Sequence, residues 1–225
     1  MTQEIWTAVD EYINGFFVPS DAALDAALAA SASAGLPNIQ VSPAQGKMLH
    51  VLARLVGARN ILELGALGGY SGIWMARALP PGGKLLTLEA SEKHAEIAKA
   101  NYARAGLSNV IDLRLGKALD LLPQVATERR GPFDLIFLDA NKSDMAEYFD
   151  WAVKLSRPGS VIVADNSISR GRVLDTDSDD PDVQGCRLFH ERVAADQRVS
   201  ATEIQTVGVK GWDGFTLIAV LTHPA

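Results

Sequence analysis

The chain has 225 residues, of which 48% are hydrophobic and 21% charged, and carries a formal net charge of −6. That length holds one large core with at most a small extension. The acidic balance opposes a nucleic-acid surface, and no run approaches the roughly 20 apolar residues of a membrane span. Cys186 is the single cysteine, so neither an internal disulfide nor a cysteine metal cluster is available; it is read as structural, although His190 lies one helical turn away. The start, Met1-Thr2-Gln3-Glu4, has no basic and apolar leader, and the expected location is cytoplasmic.

In chain order, helical patterning covers 4–17 and, after Pro19-Ser20-Asp21, the alanine-rich 22–34, with Ser20 or Asp21 as its cap. These segments precede the first strand. They form an N-terminal helical extension of about residues 1–40 that covers the site or makes a subunit contact, within a single domain spanning 1–225. Ser42 caps a further helix at 44–56, with Pro43 in its first turn. Strands are then predicted at 61–64, 84–89, 110–115, 133–139 and 160–165, alternating with helices at 71–79, 91–105, 117–125 and 142–155. Such alternation argues for a parallel sheet with helices on both faces. After a polar stretch, 167–185, a helix runs to about Ala195, and segments 201–207 and 215–222 read as a hairpin joined by the glycine-rich loop 208–214.

The first strand runs into Glu63-Leu64-Gly65-Ala66-Leu67-Gly68-Gly69-Tyr70-Ser71, a glycine-rich bend that opens a helix. Glycine lets the backbone turn sharply and approach a ligand closely, while a helix start offers unpaired N–H groups. The spacing is not that of a dinucleotide loop, and Glu63 would meet a pyrophosphate with like charge. The expected ligand therefore carries a cation and no phosphate. S-adenosylmethionine, with adenosine and ribose but a sulfonium and an amino acid, meets that requirement. Indeed Glu63-x-Gly65-x-x-x-Gly69 resembles the first motif of class I methyltransferases.

In a doubly wound sheet, ligands sit beyond the carboxyl ends of the strands. The second strand ends in Glu89, where a carboxylate can accept both hydroxyls of a ribose, and the third is followed by Gly116-Lys117-Ala118, whose backbone could face the adenine. The fourth ends in Asp139-Ala140-Asn141-Lys142 and the fifth in Asp165-Asn166. Two carboxylates and an amide suit a hard cation such as magnesium, manganese or calcium.

Together, Glu63-Leu64-Gly65, Gly69-Tyr70-Ser71, Glu89, Leu138-Asp139-Ala140-Asn141-Lys142, Ala164-Asp165-Asn166 and Val209-Lys210-Gly211-Trp212-Asp213-Gly214-Phe215 resemble the cation-dependent O-methyltransferases, the group containing the caffeoyl-CoA and catechol enzymes. The resemblance implies a Rossmann-like α/β fold with a seven-stranded, mostly parallel sheet in the order 3-2-1-4-5-7-6. It implies Asp139, Asp165 and Asn166 as metal ligands, and Lys142 as catalytic base beside Asp139. Cofactor contacts are expected from Val41, Glu63, Gly65, Leu67, Gly69, Tyr70, Ser71, Glu89, Ala90, Gly116, Lys117, Ala118 and Asp139. The expected acceptor is a small aromatic vicinal diol of catechol or caffeoyl type, and the expected assembly a homodimer. Asn141 stands where plant caffeoyl-CoA enzymes usually have aspartate and catechol O-methyltransferase tryptophan, which leaves the acceptor's identity open.

Two other classes remain as alternatives. An NAD-dependent oxidoreductase would use the same crevice, but lacks its third glycine here and would face Glu63. A catalytically silent cofactor-binding protein has no need of a base beside a metal set.

Overall fold

The computed structural model describes residues 2–19 and 21–222. Helix α1 (Gln3–Phe17) packs on α3 (Pro43–Leu55), and α2 (Ala22–Ser33) on α4 (Tyr70–Ala76) and α5 (Glu92–Arg104). Asp21 caps α2 by accepting the N–H groups of Ala23 and Leu24, both at 3.0 Å; the alternative cap, Ser20, lies outside the described residues. Ser42 and Gln45 form a reciprocal capping box at the start of α3, with Pro43 in the first turn.

The sheet comprises β1 (Asn60–Leu64), β2 (Lys84–Glu89), β3 (Ile111–Leu115), β4 (Phe133–Leu138), β5 (Ser156–Asp165), β6 (Val199–Gly208) and β7 (Gly211–Val220). Its order is β3-β2-β1-β4-β5-β7-β6, as the resemblance implies. Strands β1 to β5 pair in parallel, while β7 runs antiparallel between β5 and β6. Successive residues of a strand face opposite layers. Leu62, Leu64, Ile136 and Leu138 pack with α6 (Ala118–Thr127), α7 (Met145–Lys154) and α8 (Pro181–Ala195), whereas Ile61, Leu135 and Phe137 pack beneath α3, α4 and α5. A strand covered on both faces reads as an apolar run, and every residue of β4 is buried.

Four expectations are corrected. Strand β5 begins at Ser156, with a register shift against β4, four residues ahead of the predicted start. The helix predicted from 142 opens as a 3-10 turn, Lys142–Asp144, before α7. The polar stretch contains another 3-10 turn, Ser169–Leu174, and α8 starts at Pro181, because Asp180 accepts the Asp182 N–H at 2.9 Å and proline occupies the first turn. The loop predicted at 208–214 shrinks to Val209-Lys210, since Gly208 and Gly211 already pair across the hairpin.

Candidate active site

The carboxyl ends of the parallel strands open into one cleft of about 1160 Å³. At its first side β1 turns through Gly65, whose φ of +95° and close approach to the Asp139 carbonyl both exclude a side chain. The loop that follows is held from below by Glu89. One carboxylate oxygen accepts the N–H groups of Ala66 at 3.0 Å and Leu67 at 2.9 Å, and the other accepts Ser91 N–H at 2.9 Å. His94 Nδ1 lies 3.5 Å from the same carboxylate, itself in the cleft wall. Val41, Gly65, Leu67, Tyr70, Ser71 and Glu89 line this half, joined by Ala90 and by Gly116, Lys117 and Ala118 from the β3–α6 connection.

Glu63 and Gly69 are the predicted contacts that the cleft wall does not include. The alternation of β1 puts Glu63 in the layer beneath α4, fully buried, where it accepts Ser71 Oγ–H at 2.5 Å. The expectation that its charge faces the ligand is therefore corrected: Glu63 reaches the cleft through Ser71. Its Oε2 makes no hydrogen bond, and burial pushes its carboxyl up to about 7. Gly69, at φ +83°, leaves room for the Tyr102 ring.

The other half is built on β4 and β5. Their register pairs Leu138 with Ala164, so Asp139 and Asp165 emerge side by side, followed by Asn166 in a left-handed conformation at φ 53°. All three line the cleft. Lys142 donates to Asp139 Oδ1 at 3.0 Å and to the Asp165 carbonyl at 2.9 Å. Burial pulls the Lys142 ammonium down, but the charges of Asp139 and Asp165 outweigh it and hold the group above its ordinary range. Burial and the Asp139 charge push Asp165 up to about 7. The four residues thus concentrate negative charge that one lysine only partly offsets. Behind them Cys186 is buried, its thiol pushed up to about 11 by burial, as befits a packing role.

Sequence reasoning missed several wall residues at this end. Tyr148 on α7 sits 3.4 Å from Asp144, and burial raises its phenol well above the usual range. Arg170, Lys210 and Asp213 also line it. Their signal was the strand order itself, because β7 beside β5 sets Phe215 opposite Asp165 and brings the preceding residues to the same end of the cleft. The turn bearing Lys210 is anchored by α1, where Asp10 accepts the Val209 N–H at 2.7 Å and Gln3 donates to the Gly208 carbonyl at 2.8 Å.

Residues 20–220 match the model of a family described as O-methyltransferase. A relative named catechol O-methyltransferase from Niastella koreensis is 53% identical over 220 residues, covering 98% of this chain and 100% of its own. The crystal structure of the O-methyltransferase from Bacillus cereus, in complex with SAH, superposes with a TM-score of 0.96 at 53% identity, covering 97% of this chain and 100% of that one. That of TomG from Streptomyces achromogenes, involved in tomaymycin synthesis and in complex with SAM, does so with a TM-score of 0.95 at 51% identity, covering 98% and 99%. Matched over nearly its whole length in sequence and in strand order, the chain belongs to the O-methyltransferase family, the S-adenosylmethionine-dependent enzymes of the class I methyltransferase fold.

Proposed function

We propose that the protein transfers the methyl group of S-adenosylmethionine to one hydroxyl of a small aromatic vicinal diol, with a divalent cation held by Asp139, Asp165 and Asn166. The observation that carries this reading is the meeting of those three residues and Lys142 at one end of a cleft whose other end holds the glycine loop and Glu89. The cleft's 1160 Å³ exceeds the roughly 300–1,000 Å³ typical of a pocket for one small ligand, which leaves room for a cofactor and an acceptor together. The donor set fits a hard cation: two carboxylates and an amide, one carboxylate raised to about 7 by burial and by its neighbour's charge.

When bound, S-adenosylmethionine supplies an electrophilic methyl group, and the cation supplies positive charge that lowers the pKa of an acceptor hydroxyl and orients it. The chain does the rest. Glu89 receives the ribose hydroxyls on the edge of its carboxylate that faces the cleft. Ser71 and Tyr70, at the start of α4, close the wall beside the methionine portion. Lys142 Nζ takes the acceptor's proton. Its proton affinity is set by two opposed effects, burial and carboxylate charge; a cation held by Asp139 and Asp165 would offset the carboxylate charge and let burial lower it. Asp139 aims the amine through the 3.0 Å hydrogen bond.

The whole chain is proposed to act as one domain, with α1 and α2 as an extension. A homodimer is proposed through α1, whose Tyr12, Phe16 and Phe17 are 69%, 68% and 66% exposed. Sedimentation equilibrium reads that state directly, and a monomer at micromolar concentration would remove the dimer. A cytoplasmic location accords with the described residues, in which no helix is long and apolar enough to cross a membrane. The central reading is tested by incubating the protein with labelled S-adenosylmethionine and a panel of catechols, with and without a chelator. Label should pass to the diol only when the metal is present.

A further inference from the structure

We propose that Arg170 and Lys210 form a cationic clamp that selects acceptors carrying a carboxylate on the diol ring or its side chain. The proposal rests on the vicinal-diol reading and adds to it the charge class of the substrate.

Both residues line the cleft, Lys210 within reach of the Asp139 and Asp165 charges and Arg170 of Asp213, while Lys117 follows β3 in the other half. Arg170 lies in the turn after β5, in a left-handed conformation at φ 53° and ψ 39°, between Ser169 at φ 49° and Gly171 at φ 80°. Such a conformation costs a non-glycine residue stability and is kept where the surroundings impose it. They do so here. Asp213 accepts the backbone N–H of Arg170, the Trp212 ring fills the space a Gly171 side chain would need, and Arg172 donates to Ser169 Oγ at 2.8 Å. Arg172 is meanwhile committed to Asp180. The Arg170 guanidinium, by contrast, has neither a hydrogen bond nor an ion pair among the described residues. The side chain is exposed and acts on the Asp213 carboxylate by charge without bonding to it, so every guanidinium donor stays open to a ligand in the cleft.

Lys210 approaches from the hairpin turn. It donates to the Asn38 carbonyl at 2.6 Å, which uses one of the three ammonium hydrogens and leaves two for a ligand. Burial and the Arg170 charge lower its pKa against the opposite pull of Asp139 and Asp165, so Lys210 feels both the second cation and the two carboxylates. Of the nearby acids, Asp213 is occupied by the N–H groups of Gly214 and Arg170, and Asp144 by Asn141 and Tyr148. A carboxylate bound between Arg170 and Lys210 relieves their repulsion and gains charge-assisted hydrogen bonds, with the diol left facing the metal set.

The test measures kcat/KM for 3,4-dihydroxybenzoate, catechol and 2-(3,4-dihydroxyphenyl)ethylamine at saturating S-adenosylmethionine and magnesium, in the wild type and in Arg170→Asn and Lys210→Met. Asparagine tolerates the left-handed turn. The wild type is expected to prefer the acid over catechol about tenfold or more, and the amine least. Each substitution should cut the acid-to-catechol ratio several-fold; because the ratio is taken within one protein, a general loss of turnover cancels. Arg170→Glu should move the preference toward the amine. A wild-type ratio near one, or a high ratio that survives both substitutions, overturns the clamp while leaving diol methylation intact. Methylation of none of the three compounds overturns the diol reading beneath it.

Discussion

The Glu89 carboxylate accepts the backbone N–H of Leu67 at 2.9 Å, so the side chain assigned to a ribose also shapes the loop against which the cofactor would lie. Substituting it removes a ligand contact and the fastening of the glycine bend together. Glu89→Ala should weaken S-adenosylmethionine binding at least tenfold, given roughly 1.5 to 3 kcal/mol for each hydrogen bond to a charged group. Calorimetric titration reads this, and unchanged affinity would place the cofactor elsewhere.

Chelation should abolish turnover, and magnesium or manganese should restore it, because Asp139, Asp165 and Asn166 supply hard oxygen donors and Lys142 alone does not balance the two carboxylates. Asp165→Ala should leave activity unrecoverable by added metal. Full turnover after exhaustive chelation removes the cation from the reaction.

Lys142→Ala should lower kcat by about 100-fold to 10,000-fold, the usual range for a general base, with little change in the binding of either substrate. Lys142→Arg keeps the charge and the bond to Asp139 but not a group that deprotonates, so it should be as slow. A variant that keeps most of its turnover would reduce Lys142 to a charge partner of Asp139.

An aromatic vicinal diol should be preferred strongly over the matching monophenol at saturating metal. Three protein oxygens leave about three positions on a six-coordinate cation, and adjacent hydroxyls occupy two of them from one molecule. Equal specificity constants for catechol and phenol would sink this assignment even if methyl transfer itself is seen.

Stability should show its own pH signature at Asp134. Its carboxylate accepts the N–H groups of Arg59 at 2.7 Å and Asn60 at 2.9 Å, and pairs with Arg157. Burial raises its pKa, but these donors outweigh burial and set it below 3.8. The folded-state value is therefore depressed, so the stabilisation is full above the unfolded value and disappears as pH falls through the folded one. Asp134 is 9% exposed and Arg157 41%, so the backbone donors carry most of the effect and the ion pair little. Asp134→Ala should cost about 2 kcal/mol near neutral pH, and the gap to the wild type in chemical denaturation should narrow as pH falls below the unfolded value of 3.8 toward the lower folded one.

Strands β1, β2 and β4 were legible because parallel strands buried on both faces are written as apolar runs, the edge strand β3 because its apolar residues alternate with charged ones, and all four because acids and glycines mark their carboxyl ends. The acceptor end was harder to read. Gly214 suggests a loop, yet it lies inside β7, where a side chain would strike Glu203 and the Ile204 carbonyl. Glu63 was misplaced for a different reason. A motif names the residue, but only the two-residue period of β1 says which layer it enters, and that period sends it under α4. Arg170 carries no pattern at all, since its place depends on a left-handed turn imposed by Trp212 and Asp213.

The turn at Val209-Lys210 hangs on Asp10 and Gln3, so the first helix is mechanically coupled to the roof of the acceptor end. The cleft is also partitioned along the chain: residues 38–119 line the half with the glycine loop and Glu89, and those from 139 onward the half with Asp139 and Asp165, with α1 and Asn38 bracing the hairpin turn from the N-terminal side. Exchange of acceptor range between relatives accordingly calls for two inherited pieces. A graft of the segment after β5 should bring its own first helix, since a hairpin turn transplanted without its matching Asp10 and Gln3 loses the support that fixes Lys210 at the Asp139 and Asp165 end of the cleft.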